Sequence, residues 1–152
     1  MSGTSPEDGQ EFTLLLDDQL CFALYAASRA VTARYRPLLD AIGLTYPQYL
    51  VMLVLWEHDA VAVKELGAAL QLDYGTLTPL LKRLEASGLV RRERRPDDER
   101  SVRITLTPQG AELRERAAAV PAEIGGAMGL NAGETEQIRG LLRRLTANVS
   151  AG

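Results

Sequence analysis

The chain has 152 residues, enough for one ordinary domain with its own core, and 46% of them are hydrophobic against only 5% aromatic. A single cysteine and a single histidine exclude an internal disulfide and a Cys/His zinc centre, and no other cofactor is indicated. The formal charge of −3 excludes a uniformly basic protein, and long Leu- and Ala-rich stretches point to a mainly α fold.

Residues 1–13, rich in Ser, Gly, Pro and acids, read as a flexible tail ahead of one domain over 14–150. The acidic start lacks a basic, then apolar, leader, and no stretch approaches the roughly 18 apolar residues of a membrane span. The reading is therefore a cytoplasmic protein with no membrane partner. A first helix is predicted from Asp17 or Asp18, as N-cap, to Tyr35, with Leu20, Leu24, Ala27, Val31 and Tyr35 along one face. Pro37 interrupts it, and a short segment Leu38 to Ile42 ends at Gly43. Thr45 and Pro47 open another helix, its apolar face carrying Tyr49, Leu50, Leu53, Val54 and Trp56.

Two short helical patterns follow, Val63 to Leu70 and Tyr74 to Ala86, separated only by Gln71-Leu72-Asp73, the spacing of a helix-turn-helix. Pro79 lies inside the second pattern, so either Thr78 caps and Pro79 is the first helical residue, or Asp73 caps and Pro79 follows the first turn. Leu89 to Glu93 and Val102 to Leu106 alternate as strands around a polar hairpin, Arg94 to Ser101. A helix-turn-helix followed by a hairpin is a winged helix, here about 46–107. Thr107 then caps a helix running through Leu113 and Val120 towards Ile124. After a Gly-rich break, Gly125 to Gly133, a last amphipathic helix covers Glu134 to Val149 with Ile138, Leu141, Leu142 and Leu145. Flanking helices over about 17–36 and 108–149 exceed what a small winged unit can cover, so they read as dimerisation helices. Leu113, Val120, Leu141 and Leu145 are expected at least partly between subunits of a homodimer.

Between Lys82 and Arg103 eight basic residues face five acidic ones, a local excess within an acidic chain. A basic hairpin beside such a helix supplies phosphate contacts for affinity and base-edge contacts for specificity. The residues assigned to DNA are Asp73, Tyr74, Thr76, Thr78, Lys82 and Arg83 on the helix, with Arg92, Arg94, Arg95 and Arg100 on the wing. A dimer would bind double-stranded DNA as an inverted repeat, with half-sites about 10 base pairs, or a multiple of that, apart. Trp56 and His58 read as a core residue and a helix-end residue rather than as ligands.

These residues resemble the multiple-antibiotic-resistance regulator (MarR) family, and within it the organic-hydroperoxide-resistance regulators. The likeness runs from about Leu16 to Leu145. Asp98-x-Arg100-Ser at the wing matches the broad family. Leu20-Cys21-Phe22-x-x-Tyr25, Tyr35, Thr45-Tyr46-Pro47 and Gly75-Thr76-Leu77-Thr78-Pro79 match the peroxide-sensing branch more closely. The resemblance implies a repressor in which Cys21 is hydrogen-bonded to Tyr35 and Tyr46 of the partner subunit, with Tyr25 nearby, and is oxidised by organic hydroperoxides. Since the chain lacks the second, resolving cysteine of some members, it also implies a one-cysteine route: sulfenic acid, then a mixed disulfide with a small thiol.

Residue chemistry bears on that implication. Cys21 near a helix N-terminus is favoured as thiolate, while Leu20, Phe22 and Leu24 oppose ionisation but suit apolar peroxides. Tyr25 shares a face with Cys21. Tyr35 lies fourteen residues on, roughly 21 Å along the same helix, so it cannot touch its own Cys21 while that helix is straight but could touch a partner's if the two first helices run antiparallel. The other reading is that Tyr25, Tyr35 and Tyr46 fill the core with their hydroxyls at its rim. The alternative is a repressor responding to a small aromatic ligand, with Cys21 incidental. A thiol peroxidase lacks a resolving partner and a residue to stabilise the leaving oxygen, so the chain is not read as an enzyme.

Overall fold

The computed structural model describes residues 12–95 and 98–151, with Arg95 and residues 98–101 described by backbone alone. Apart from Phe12 and Thr13, the expected 1–13 tail lies outside the described residues, as does the Pro96-Asp97 turn. A 3-10 turn, Leu16–Asp18, precedes α1 (Leu20–Asp40). Neither Asp17 nor Asp18 caps α1. The Asp18 carboxylate accepts from Thr13 Oγ1 at 2.7 Å, and the N-cap is Gln19, whose amide donates to the carbonyls of Thr13 and Leu15. Nor does α1 stop at Pro37. The proline sits in the last turn, where its missing N–H forfeits only the bond to the Ala33 carbonyl, and the helix closes at Gly43, φ +71, with Leu44 N–H donating to Leu39.

Helix α2 (Tyr46–His58) opens with a capping box between Thr45 and Gln48. Its segment is so uniformly apolar that periodicity misplaced the buried face: Val51, Met52 and Leu55 are fully buried with Tyr49, whereas Leu53 is exposed. A short strand β1 (Ala60–Ala62), unexpected from sequence, leads into α3 (Val63–Leu70) and α4 (Tyr74–Ala86). Asp73 caps α4 by accepting from Thr76 N–H at 2.7 Å, so Pro79 stands inside the helix after the first turn. Leu66, Leu77, Leu81 and Leu84 are fully buried, and truncating any one to alanine costs about 2–5 kcal/mol.

The sheet has the order β1-β3-β2, with β2 (Val90–Arg95) and β3 (Asp98–Leu106) antiparallel and β1 pairing Val61 with Ile104. Both long strands extend further into the wing than the alternation showed, because Arg94, Arg95 and residues 98–101, read as hairpin loop, continue the ladder. Thr107 caps α5 (Pro108–Ala117) by accepting from Gly110 N–H. The expected single helix to Ile124 is instead broken at Ala118-Ala119. Pro121 cannot donate to Ala117, and α6 (Val120–Met128) starts anew with Gly125 and Gly126 inside it. The true break is Gly129 to Asn131. Asn131 then forms a capping box with Glu134 and opens α7 (Ala132–Ser150).

Leu113 and Val120, expected between subunits, are buried in the chain's own core at 7% and 4% exposure, because α5 and α6 fold back over α1 and α2. No residue of α7 is buried, and Ile138, Leu141 and Leu142 remain exposed along it. No helix among the described residues is long and apolar enough to cross a membrane.

Candidate functional site

Cys21 is the second residue of α1, a free and exposed thiol flanked by exposed Leu20 and Phe22. One turn on, the exposed Tyr25 ring lies 5.6 Å beneath the Arg29 guanidinium, a cation–π contact. At the other end of α1 three tyrosines pack together. The Tyr35 ring lies 4.8 Å from that of Tyr46 and 5.7 Å from that of Tyr49, and Tyr46 and Tyr49 are 6.4 Å apart. Burial, then the neighbouring Tyr46 and Tyr49, push the Tyr35 hydroxyl above its ordinary 10.0; burial and Tyr46 do the same to Tyr49. Among the described residues none of the three hydroxyls is hydrogen-bonded within the chain. Tyr49 was read from the sequence only as a core residue, yet its i, i+3 spacing from Tyr46 puts both on one face. Beside the cluster runs an open groove of about 590 Å³, walled by Ser28, Arg29, Thr32, Tyr35, Arg36 and Tyr46 among others.

The fold thus brings Tyr35 to Tyr46 but keeps Cys21 from both within one chain. Because α1 is continuous from Leu20 to Asp40, fourteen residues still separate Cys21 from Tyr35, about 21 Å of helix.

Helix α4 carries exposed Asp73 at its cap, then Tyr74, Thr76, Lys82 and Arg83, also exposed, with Thr78 half-buried. The Thr76 backbone N–H holds the Asp73 carboxyl below its ordinary 3.8. The Thr78 hydroxyl donates to the Tyr74 carbonyl at 2.8 Å. On the wing Arg91 and Arg94 are exposed, whereas Arg92 is half-buried. Its N–H donates to Glu85 of α4 at 3.2 Å, and its Nε is buried without a partner among the described residues. Glu85, which sequence reasoning passed over, thereby ties the edge strand β2 to α4. The side chains of Arg95 and Arg100 lie outside the described residues. His58 is exposed at the end of α2 beside Glu57, and no group of three or more potential metal ligands occurs among the described residues.

A family model for the transcriptional regulator SarA/Rot matches residues 33–116. The organic hydroperoxide resistance transcriptional regulator of Bacillus subtilis is 50% identical over 130 residues, 86% of this chain and 88% of its own. The chain belongs to the MarR and SarA/Rot family of winged-helix transcriptional regulators. Within that family it is also 54% identical, over 88% of its length and 67% of the relative's, to the regulator TtmR of Methylorubrum extorquens. AbfR of Staphylococcus epidermidis, solved reduced on DNA and overoxidized on DNA, matches with a TM-score of 0.74 and 40% identity over 88% of this chain and 94% of AbfR. With its disulfide formed AbfR matches at 0.60, with 39% identity over 90% of each chain. These relatives are regulators by name, and the chain is a regulator of this type rather than an enzyme.

Proposed function

We propose that this regulator is a homodimeric repressor that holds a double-stranded operator through α4 and the wing, and releases it when an organic hydroperoxide oxidises Cys21. The observation that carries the reading is the separation of Cys21 from the Tyr35–Tyr46 pair along one helix. Two antiparallel copies of α1 bring each thiol to the other chain's phenols, which donate to a thiolate. The thiolate attacks the terminal peroxide oxygen; the O–O bond breaks, the sulfur becomes a sulfenic acid, and the leaving alkoxide takes a proton from solvent to depart as an alcohol. A small thiol then condenses with it, expelling water and leaving a mixed disulfide. Neither step needs a second cysteine, and the chain has one.

The AbfR structures support placing release at the second step, since the overoxidized protein is DNA-bound. Added oxygen weakens the phenol contacts, but the bulk of the attached thiol forces the first helices apart and turns the winged units out of register with an inverted repeat. The groove beside the tyrosines favours one other reading, a small aromatic ligand seated there with Cys21 incidental. Operator release, followed by fluorescence anisotropy, and Cys21 modification, followed by intact mass, separate the two. Cys21→Ser should bind DNA and ignore hydroperoxide; full release by that variant refutes the redox reading.

A further inference from the structure

We propose that Arg36 of one chain stabilises the oxygen that leaves when an organic hydroperoxide oxidises the partner's Cys21. The inference rests on the redox reading above and supplies what sequence reasoning did not find, a group for the departing oxygen. Cys21, Ser28, Thr32 and Tyr35 stand at i, i+7, i+11 and i+14, one face of α1, and the last three line the groove beside the tyrosines. The face that carries the thiol is therefore the face that walls the groove. In the antiparallel pairing that sets the partner's Cys21 level with Tyr35, each step forward on one helix is a step back on the other, so the partner's Leu20 stands level with Arg36. Arg36, about 1.5 Å further along the axis than Tyr35, borders the same groove as Tyr35 and Tyr46.

Arg36 is exposed, and the ion pairs among the described residues are those of His58 with Glu57 and Arg139 with Glu136, so neither Arg36 nor Asp40, one turn on, is engaged in one. The groove's other guanidinium, Arg29, lies over the Tyr25 ring at 5.6 Å and stands about 9 Å of helix short of the level of Tyr35. Arg34 lines a different cavity, with Ile124 and Met128 of α6. When the thiolate attacks, an S–O bond forms to the terminal oxygen, which keeps its hydrogen, and the O–O bond breaks with its electron pair on the carbon-bound oxygen. Sulfur loses two electrons and the peroxide gains them. The carbon-bound oxygen leaves as an alkoxide, and a guanidinium donates hydrogen bonds to it as that charge grows. Arginine does not give up its own proton, so the one that makes the alcohol comes from solvent.

The test follows sulfenic acid formation in the full reduced chain, by quenched flow and intact mass, with two oxidants. One, tert-butyl hydroperoxide, expels a strongly basic alkoxide. The other, peracetic acid, expels weakly basic acetate, which has little need of a donor. Arg36→Gln should slow the first about ten- to a hundred-fold and the second little; the loss is smaller than for a fully buried oxyanion donor because the groove is open. Arg36→Lys keeps a charge without the planar fork and should fall between, whereas Arg34→Gln should react as the parent does. Operator binding by each reduced variant checks that its fold persists. Equal slowing of both oxidants, or none, overturns the role of Arg36 and leaves Cys21 as the sensor. A parent whose Cys21 neither oxidant modifies, or a Cys21→Ser chain that either releases from DNA, overturns the redox reading itself.

Discussion

Replacing Gly110 by alanine drives a Cβ into the Leu89 carbonyl, with Leu106 Cδ2 also at 3.2 Å. The obstructing atom is backbone, so α5 must retreat by about an ångström before an ordinary separation is restored. Three hydrogen bonds hold this end of α5 in place and are broken when it shifts. Thr107 N–H donates to Leu89 at 3.1 Å, Thr107 Oγ1 to Gly88 at 2.6 Å, and Trp56 Nε1 to the Gly110 carbonyl at 2.9 Å. At about 1 kcal/mol each their loss costs about 3 kcal/mol. The better helix propensity of alanine returns about 1, leaving a net loss of about 2 kcal/mol. Urea unfolding at fixed protein concentration, followed by fluorescence of Trp56, the chain's one tryptophan, should show a midpoint lower by about 1 M. A midpoint at or above the parent's refutes the reasoning: propensity would then outweigh the close approach.

The other predictions are as follows. Tyr35→Phe and Tyr46→Phe should keep fold and DNA binding but slow operator release by hydroperoxide, as stopped-flow anisotropy measures. Arg94→Ala, at an exposed wing position, should lower the slope of log affinity against log salt by about one, whereas half-buried Arg92→Ala should also lower thermal stability. Because the folded Asp73 carboxyl is held below 3.8, its contribution is complete above that pH and is lost as pH falls through the lower folded value. Asp73→Asn, which caps without titrating, should flatten that part of the stability–pH curve. Tyr49 titrates above 10.0 in the fold, so stability should fall as pH rises from 10.0 through that higher value, and less so in Tyr49→Phe.

Caps and spacing made much of the fold legible. Thr45 and Thr107 each have a small oxygen acceptor ahead of an apolar pattern, and each accepts the bond that pattern predicts, whereas the cap of α4, open in the sequence between Asp73 and Thr78, is Asp73. The same logic failed at Asp18, where Thr13 competes for the carboxylate, since a local pattern cannot show which donor wins. Prolines misled in both directions: Pro37 lies where α1 tolerates it, and Pro121 lies where α5 cannot continue. Strand β1 is three residues of alanine and valine, too short to alternate, and exists because β3 offers it an edge. At the candidate site, composition and spacing separated Cys21 from Tyr35 along the helix. They could not show Tyr49 joining Tyr35 and Tyr46, which depends on the angle at which α2 packs on α1.

The position of that tyrosine cluster bears on how an event at Cys21 would reach DNA. Tyr49 belongs to α2, and the same helix buries Val51, Met52 and Leu55 in the core on which α3 and α4 pack. Helix α2 is therefore both a wall of the proposed redox site and the support of the helix-turn-helix, and a displacement at one is a displacement at the other. Trp56 and Gly110 extend that rigid body to α5, and Glu85 extends it to the wing. The joints that remain are the Gly43 turn between α1 and α2, the Ala118-Ala119 break between α5 and α6 and the Gly129 turn before α7. On the proposed mechanism the winged unit turns as one piece about those joints. Substitutions at Ala118 or Ala119 should then alter the rate of operator release while leaving the reaction of Cys21 with hydroperoxide unchanged.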